Sequence, residues 1–109
     1  MMKWLIEFVN ETAEKEFMAL DASFKARFLH IAELIERFGP FHVGMPHIRP
    51  LEDKLWEIRL KSNPGIARSI YVMAEKKKII ILHTFVKKTQ KTPRAAFDKA
   101  KSRLKEIKK

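Results

Sequence analysis

The chain contains no cysteine, one tyrosine, three glycines and five prolines in 109 residues, and each shortage removes a class of reading. Without cysteine there is no disulfide framework and no thiolate metal centre. The four histidines are scattered without metal-ligand spacing, so neither redox chemistry nor a zinc site is expected. Scarce glycine and proline, set against 46% hydrophobic residues, exclude low-complexity and disordered compositions. No stretch approaches the roughly 18 consecutive apolar residues of a membrane span. The opening MMKWLIEFVNETAEKE turns acidic too early for the apolar core of a signal peptide. A single domain over 1–109, cytoplasmic and without a membrane partner, is the expectation.

Positive charge is abundant, at a formal +10, and it is one-sided. Residues 1–54 carry seven Lys/Arg against nine Asp/Glu, and residues 55–109 carry sixteen against four, giving −2 and +12. A positive field confined to one half suits a polyanion, with nucleic acid ahead of an anionic membrane or an acidic protein. A lysine-rich solubilising surface would produce the same count.

Hydrophobic spacing supplies the elements. Trp4–Val9 is short, aromatic and β-branched, and reads as a strand. Asn10 or Thr12 can cap a helix with Ala13, Phe17 and Leu20 on one face. Asp21 can cap a second, with Phe24, Phe28, Ile31, Ile35 and Phe38 on one stripe up to Gly39-Pro40. The two form an αα-hairpin whose phenylalanines read as packed core rather than a ligand pocket. Pro40–Asp53 has no period and reads as an irregular connection, with His42 and His47 as surface side chains rather than metal or catalytic groups, since no acidic or thiol companion stands at ligand spacing.

From Leu55 to Leu60 the period becomes two, with Trp56, Ile58 and Leu60 on a core face and Glu57 and Arg59 on a polar one. Turn chemistry at Lys61–Gly65 and Glu75–Lys78 brackets strands Ala67–Met73 and Ile79–Phe85. The latter is apolar on both faces and so interior to the sheet. Thr92-Pro93 reads as N-cap and first residue of a terminal helix that buries Phe97, Ala100, Leu104 and Ile107. The fold class is α+β in the order β-α-α-β-β-β-α, a small, mostly antiparallel sheet packed on the αα-hairpin and the C-terminal helix.

The stretch LHTFVKKTQKTPRAAF joins the last strand to that helix. Unpaired amides and the macrodipole at a helix start favour an anion, and Lys87, Lys88 and Lys91 stand beside it. Ordinary solvated lysines fit these residues equally well. Arg59 on its polar face and Arg68 within an apolar strand add guanidinium forks that match phosphate oxygens. If the meander and the terminal loop share one end of the sheet, the two arginines and three lysines line one cleft. The alternative for Arg68 is a salt bridge to Glu57 on the adjacent strand. His83, ending the interior strand, is either a proton carrier near neutral pH or a histidine packed in the sheet. A lysine of lowered pKa within the cationic cluster is a further proton carrier.

LWEIRLKSNPGIARSIYVMAEKKKIIILHTFVKKTQKTPRAAFDKAKSRL resembles the C-terminal half of the RelE/HigB-like toxins of bacterial type II toxin–antitoxin systems, in their phage-derived subfamily within the RelE/ParE superfamily. The similarity rests on the LWE-R strand, the R-x-x-Y strand, the basic hairpin and F-x-K-K-T-Q-K-T-P, and extends to the helical hairpin ending in FGP. It implies a microbial-ribonuclease-like fold, ribosome-dependent cleavage of mRNA without a cofactor, and silencing by a cognate helix-turn-helix antitoxin.

Carried over by residue, the resemblance implies catalytic roles for Arg68, Arg59 and Lys91, beside which His83 stands as the candidate proton carrier read from its own position. It implies RNA or phosphate contacts for Lys61, Lys87, Lys88, Gln90, Thr92 and Arg94. Attack by a ribose 2′-hydroxyl on the adjacent phosphate, giving a cyclic phosphate and a free 5′-hydroxyl, needs its phosphorane charge stabilised by pre-positioned cations. One departure stands out: Phe97 occupies the place where several relatives carry a tyrosine. A non-enzymatic relative, poisoning gyrase or holding only RNA or an antitoxin, is the alternative.

Overall fold

A computed structural model of the chain describes residues 3–44, 47–63, 65–87 and 92–107. Strand β1 (Leu5–Phe8) leads into helices α1 (Glu11–Met18) and α2 (Ala22–Phe38), then a one-turn helix α3 (Pro40–Val43). Strands β2 (Ile48–Pro50), β3 (Trp56–Ser62), β4 (Gly65–Ala74) and β5 (Lys78–Lys87) follow, and α4 (Arg94–Leu104) runs into a 3-10 turn over Lys105–Ile107.

Local chemistry fixes the helix ends. Asn10, not Thr12, caps α1, its Oδ1 accepting the Ala13 amide at 2.8 Å. Asp21 caps α2 by accepting the Ser23 amide at 3.0 Å and the Ser23 hydroxyl at 2.6 Å. Gly39 ends α2 at φ 86, a left-handed conformation that disfavours a side chain. A Cβ there would also lie 2.9 Å from the Trp4 indole nitrogen, so glycine is needed twice over.

The sheet order is β1-β5-β4-β3-β2, with β1 parallel to β5 and the other neighbours antiparallel. Helices cover both faces. On one, Phe17, Phe24, Phe28, Ile31 and Ile35 of the α1–α2 hairpin pack on Ile58, Leu60, Tyr71, Ile79 and Ile81. On the other, Ala96 and Ala100 of α4 pack on Ile70, Val72, Ile80 and Leu82, with Phe97, Leu104 and Ile107 at the margin. Each large apolar side chain so buried is worth about 1.5–3 kcal/mol, which makes the phenylalanine-rich layer the main support of the fold.

Four departures from the sequence expectation have physical causes. The segment read as irregular contains α3 and β2, elements of four and three residues that are too short to display a period; Met45 and Pro46 lie outside the described residues. Phe38, placed on the buried stripe, is 55% exposed because it is the last residue of α2. On the face of β3 expected to be polar, Glu57 is fully buried, enclosed by Arg68 of β4, Arg49 of β2 and the Thr92 hydroxyl. Finally, Thr92 is not the N-cap of α4: that position is Pro93, without a side-chain cap, and the Thr92 hydroxyl lies 3.4 Å from Glu57 Oε1 instead.

Candidate phosphate-binding groove

The strand register assembles the basic residues. Arg59 lies directly opposite Arg68, and Arg68 opposite Phe85. Directly opposed residues project to the same face, so the two arginines are side by side on the α4 side of the sheet. Lys61 stands opposite Ile66 and Ile66 opposite Lys87, one row further along. The meander and the start of the terminal loop therefore share one end of the sheet. On the outer side of β3 the ladder continues past β2, with the Arg59 amide donating to the His47 carbonyl at 2.7 Å. Extending the β2–β3 register by one residue sets His47 opposite Arg59.

At this edge lies an open groove of about 600 Å³, lined by Arg27 of α2, His47, Arg59 and Lys61 of β3, and Ser62 and Asn63. Among the described residues no carboxylate is within ion-pair distance of Arg27, Arg59 or Lys61. Three cations held together without a counter-charge repel one another, which an anion would relieve. Sequence reasoning anticipated Arg59 and Lys61 here, missed Arg27, and set His47 aside as a surface side chain. Arg27 follows Phe24 by three positions, on an element whose stripe was read only for its core, and His47 sits on a β2 extension with no visible strand pattern.

Arg68 faces a different environment. It is 4% exposed and donates through Nη1 to Glu57 Oε2, so the salt bridge left open by the sequence is made. Arg49 adds its Nε to the same carboxylate oxygen at 2.9 Å. Burial first, and the nearby Arg49 charge second, pull the Arg68 guanidinium below its ordinary pKa. It stays charged at any working pH because a guanidinium ionises so far above neutrality. Its Nε is buried with no partner among the described residues. Arg68 is thus a buried cation shared with Glu57, one strand in from the exposed cations of the groove.

His83 belongs to a separate cluster. It is 8% exposed, stacks on Phe85 at 5.2 Å and pairs through Nδ1 with Glu16 Oε1 at 2.9 Å. Arg103 of α4 grips both Glu16 oxygens at 2.8 Å and the Leu82 carbonyl at 2.9 Å. The Thr84 amide also donates to Glu16, at 3.3 Å, so the carboxylate satisfies the β5 edge beyond the end of β1. Burial lowers the His83 pKa, outweighing the Glu16 hydrogen bond and charge that raise it. Burial alone would raise the Glu16 pKa, but hydrogen bonds from Arg103 and His83, the His83 charge and the Thr84 amide together lower it. The cluster ties α1, β5 and α4 together; of the two roles open to His83, this is the packed one.

Arg94 is held by Glu52 at 2.8 Å and Asp98 at 3.5 Å, with its guanidinium 4.9 Å above the Phe97 ring. Lys101 binds Glu52 and, at 3.0 Å, Asp53. Tyr71, the sole tyrosine, is fully buried under the helical hairpin, and burial pushes its phenol pKa upward. It offers no hydroxyl to the groove in place of Phe97. Lys88, Thr89, Gln90 and Lys91 lie outside the described residues, as does the side chain of Lys87.

Residues 15–105 match the family model of the phage-derived Gp49-like proteins, a span that includes every groove residue. The chain belongs to the Gp49-like family. Among solved structures, this Gp49-like chain is similar to one chain in the crystal structure of an archaeal RelE–RelB complex from Pyrococcus horikoshii OT3. The two are 23% identical over 78% of this chain and 96% of that one, with a TM-score of 0.57. The Gp49-like chain therefore has a RelE-type fold. Among curated proteins none is significantly similar in sequence.

Proposed function

We propose that this Gp49-like protein is the toxin of a type II toxin–antitoxin pair, of the HigB-like branch, and that it cleaves mRNA on the ribosome. The observation that carries the reading is how charge is distributed between groove and helix. Arg94, Lys101 and Arg103 of α4 are neutralised by Glu52, Asp53, Asp98 and Glu16. Arg27, Arg59 and Lys61 share a concave groove with no acidic partner among the described residues. A concavity that gathers three cations and no carboxylate suits a polyanion better than it suits simple solubilisation.

In this reading the groove receives the RNA backbone, Arg59 and Lys61 contact phosphate oxygens, and Arg68 contributes a fixed positive field from one strand further in. Lys87, Lys88, Gln90 and Lys91 are taken as further RNA contacts on the family resemblance alone, Thr92 positions the loop end, and Arg94 lies at the margin. The 2′-hydroxyl attacks the adjacent phosphorus while the cations stabilise the phosphorane. The ribosome contributes by fixing the strand in the required geometry. The partner is an antitoxin with a helix-turn-helix domain, and the setting is the cytoplasm. Purified protein added to ribosome-bound messenger should yield fragments with cyclic phosphate and 5′-hydroxyl ends, and Arg59→Ala should suppress them. Intact messenger with wild-type protein would sink the nuclease reading.

The second reading is a non-enzymatic toxin that holds RNA or poisons gyrase. It draws on Phe97, which has no hydroxyl, and on Glu57, which already neutralises Arg68. Growth arrest by the wild-type chain without messenger cleavage would favour it.

A further inference from the structure

The groove supplies cations in plenty, but transesterification also needs a group to take the 2′-hydroxyl proton. Most titratable or hydroxylic side chains nearby are unsuited. His83 is sealed against Glu16 and Phe85, Tyr71 lies under the opposite layer, and Glu57 is fully buried between Arg68 and Arg49. Phe97 has no hydroxyl. His47 is different: it is half-buried, lines the groove with Arg59 and Lys61, and its carbonyl is tied to the Arg59 amide at 2.7 Å. As the cross-strand neighbour of Arg59, its Cβ lies about 5 Å from the Arg59 Cβ, within reach of a ribose whose phosphate that arginine holds.

We propose that His47 is the general base of the cleavage reaction, a role that rests on the nuclease reading above. Neutral imidazole takes the proton from the 2′-hydroxyl as that oxygen bonds to phosphorus. The bond from phosphorus to the 5′-oxygen breaks, and the leaving oxygen takes a proton from water. The imidazolium then returns its proton to solvent, so the transesterification involves no net gain or loss of protons. The charged groups facing His47 are Arg27 from α2 and Arg59 and Lys61 from β3; Arg49, its neighbour on β2, is engaged with Glu57. A neutral imidazole has a ring nitrogen free to accept a proton, which the ammonium and guanidinium groups around it lack.

The test is single-turnover cleavage of ribosome-bound messenger by wild type and His47→Gln across pH 5–8. Each is assayed on an ordinary phosphodiester and on one whose leaving 5′-oxygen is replaced by sulfur. General base catalysis contributes roughly 10²–10⁴-fold, so His47→Gln should slow both substrates by about 10²-fold at neutral pH. The variant should also lose the rise in rate with pH and keep the wild-type melting temperature. Full recovery on the sulfur substrate would make His47 the acid instead and overturn the assignment, as would an unchanged rate and pH profile on the ordinary one. Absence of cleavage by wild type would overturn the nuclease reading itself, a result distinct from an active wild type with an equally active variant.

Discussion

Arg59 and Arg68 are cross-strand partners, yet Arg59 is half-buried on an open groove whereas Arg68 is sealed against Glu57. The same residue type in adjacent positions thus does two jobs. Arg59 can be removed without opening the core, so it is the cleaner probe of function. Arg59→Ala and Lys61→Ala should each weaken RNA binding and lower the slope of log affinity against log salt by about 0.7 for every phosphate no longer neutralised. Their melting temperatures should stay close to wild type, since substitutions outside the core usually change stability by less than about 0.5 kcal/mol. An unchanged salt slope in both variants would remove the groove as the RNA site.

Arg68 is a different experiment. Breaking a buried ion pair by deleting one partner costs about 3–5 kcal/mol because a charge is left uncompensated. The two deletions should not be equal. Without Arg68, Glu57 keeps Arg49 and the Thr92 hydroxyl; without Glu57, Arg68 has no partner among the described residues. Glu57→Ala should therefore destabilise more than Arg68→Ala, with the double variant recovering part of the loss. Urea unfolding of the three variants measures this, and the reverse ranking would contradict it. Loss of activity in Arg68→Ala is evidence about chemistry only after its folding has been checked.

Much of this arrangement was legible in the sequence because period and punctuation carry it. Asp21 and Gly39 bound α2, and alternation from Trp56 to Leu60 marks β3. Burial on the second face was not legible. Glu57 reads as solvent-facing in any period-two pattern, and only partners from other elements, Arg49, Arg68 and Thr92, enclose it. Arg27 and His47 escaped for a related reason: a groove joins residues from different elements, and no local spacing encodes that α2 and the extension of β2 meet beside Arg59.

The surface cluster around Glu52 gives an electrostatic prediction independent of RNA. Hydrogen bonds from Arg94 and Lys101 lower the Glu52 pKa to about 2. A carboxyl-resolved NMR titration should find Glu52 ionised well below the ordinary 4.5, and Arg94→Ala should raise its midpoint. Because the Arg94 fork is occupied by Glu52 and Asp98, the same variant should reduce RNA affinity less than Arg59→Ala does. An equal or larger loss would show that RNA displaces the carboxylates and would bring Arg94 into the central site.

The Glu16–His83–Arg103 cluster makes stability depend on pH, and both shifts act in the same direction. His83 has its pKa lowered from 6.5 in the folded chain, so below that value the unfolded chain binds more protons and stability falls as the solution is acidified. Glu16 is lowered from 4.5, so its contribution is present above that value and is lost as pH falls further. Urea midpoints should therefore be highest near neutral pH, decline first below about 6.5 as His83 is forced to charge, and decline again below about 4.5 as Glu16 is protonated. His83→Gln can keep a polar contact to Glu16 but cannot titrate, so it should remove the first decline and leave the second. A wild-type profile flat from pH 7 to pH 5, or a first decline that survives in His83→Gln, would assign the acid sensitivity to another group.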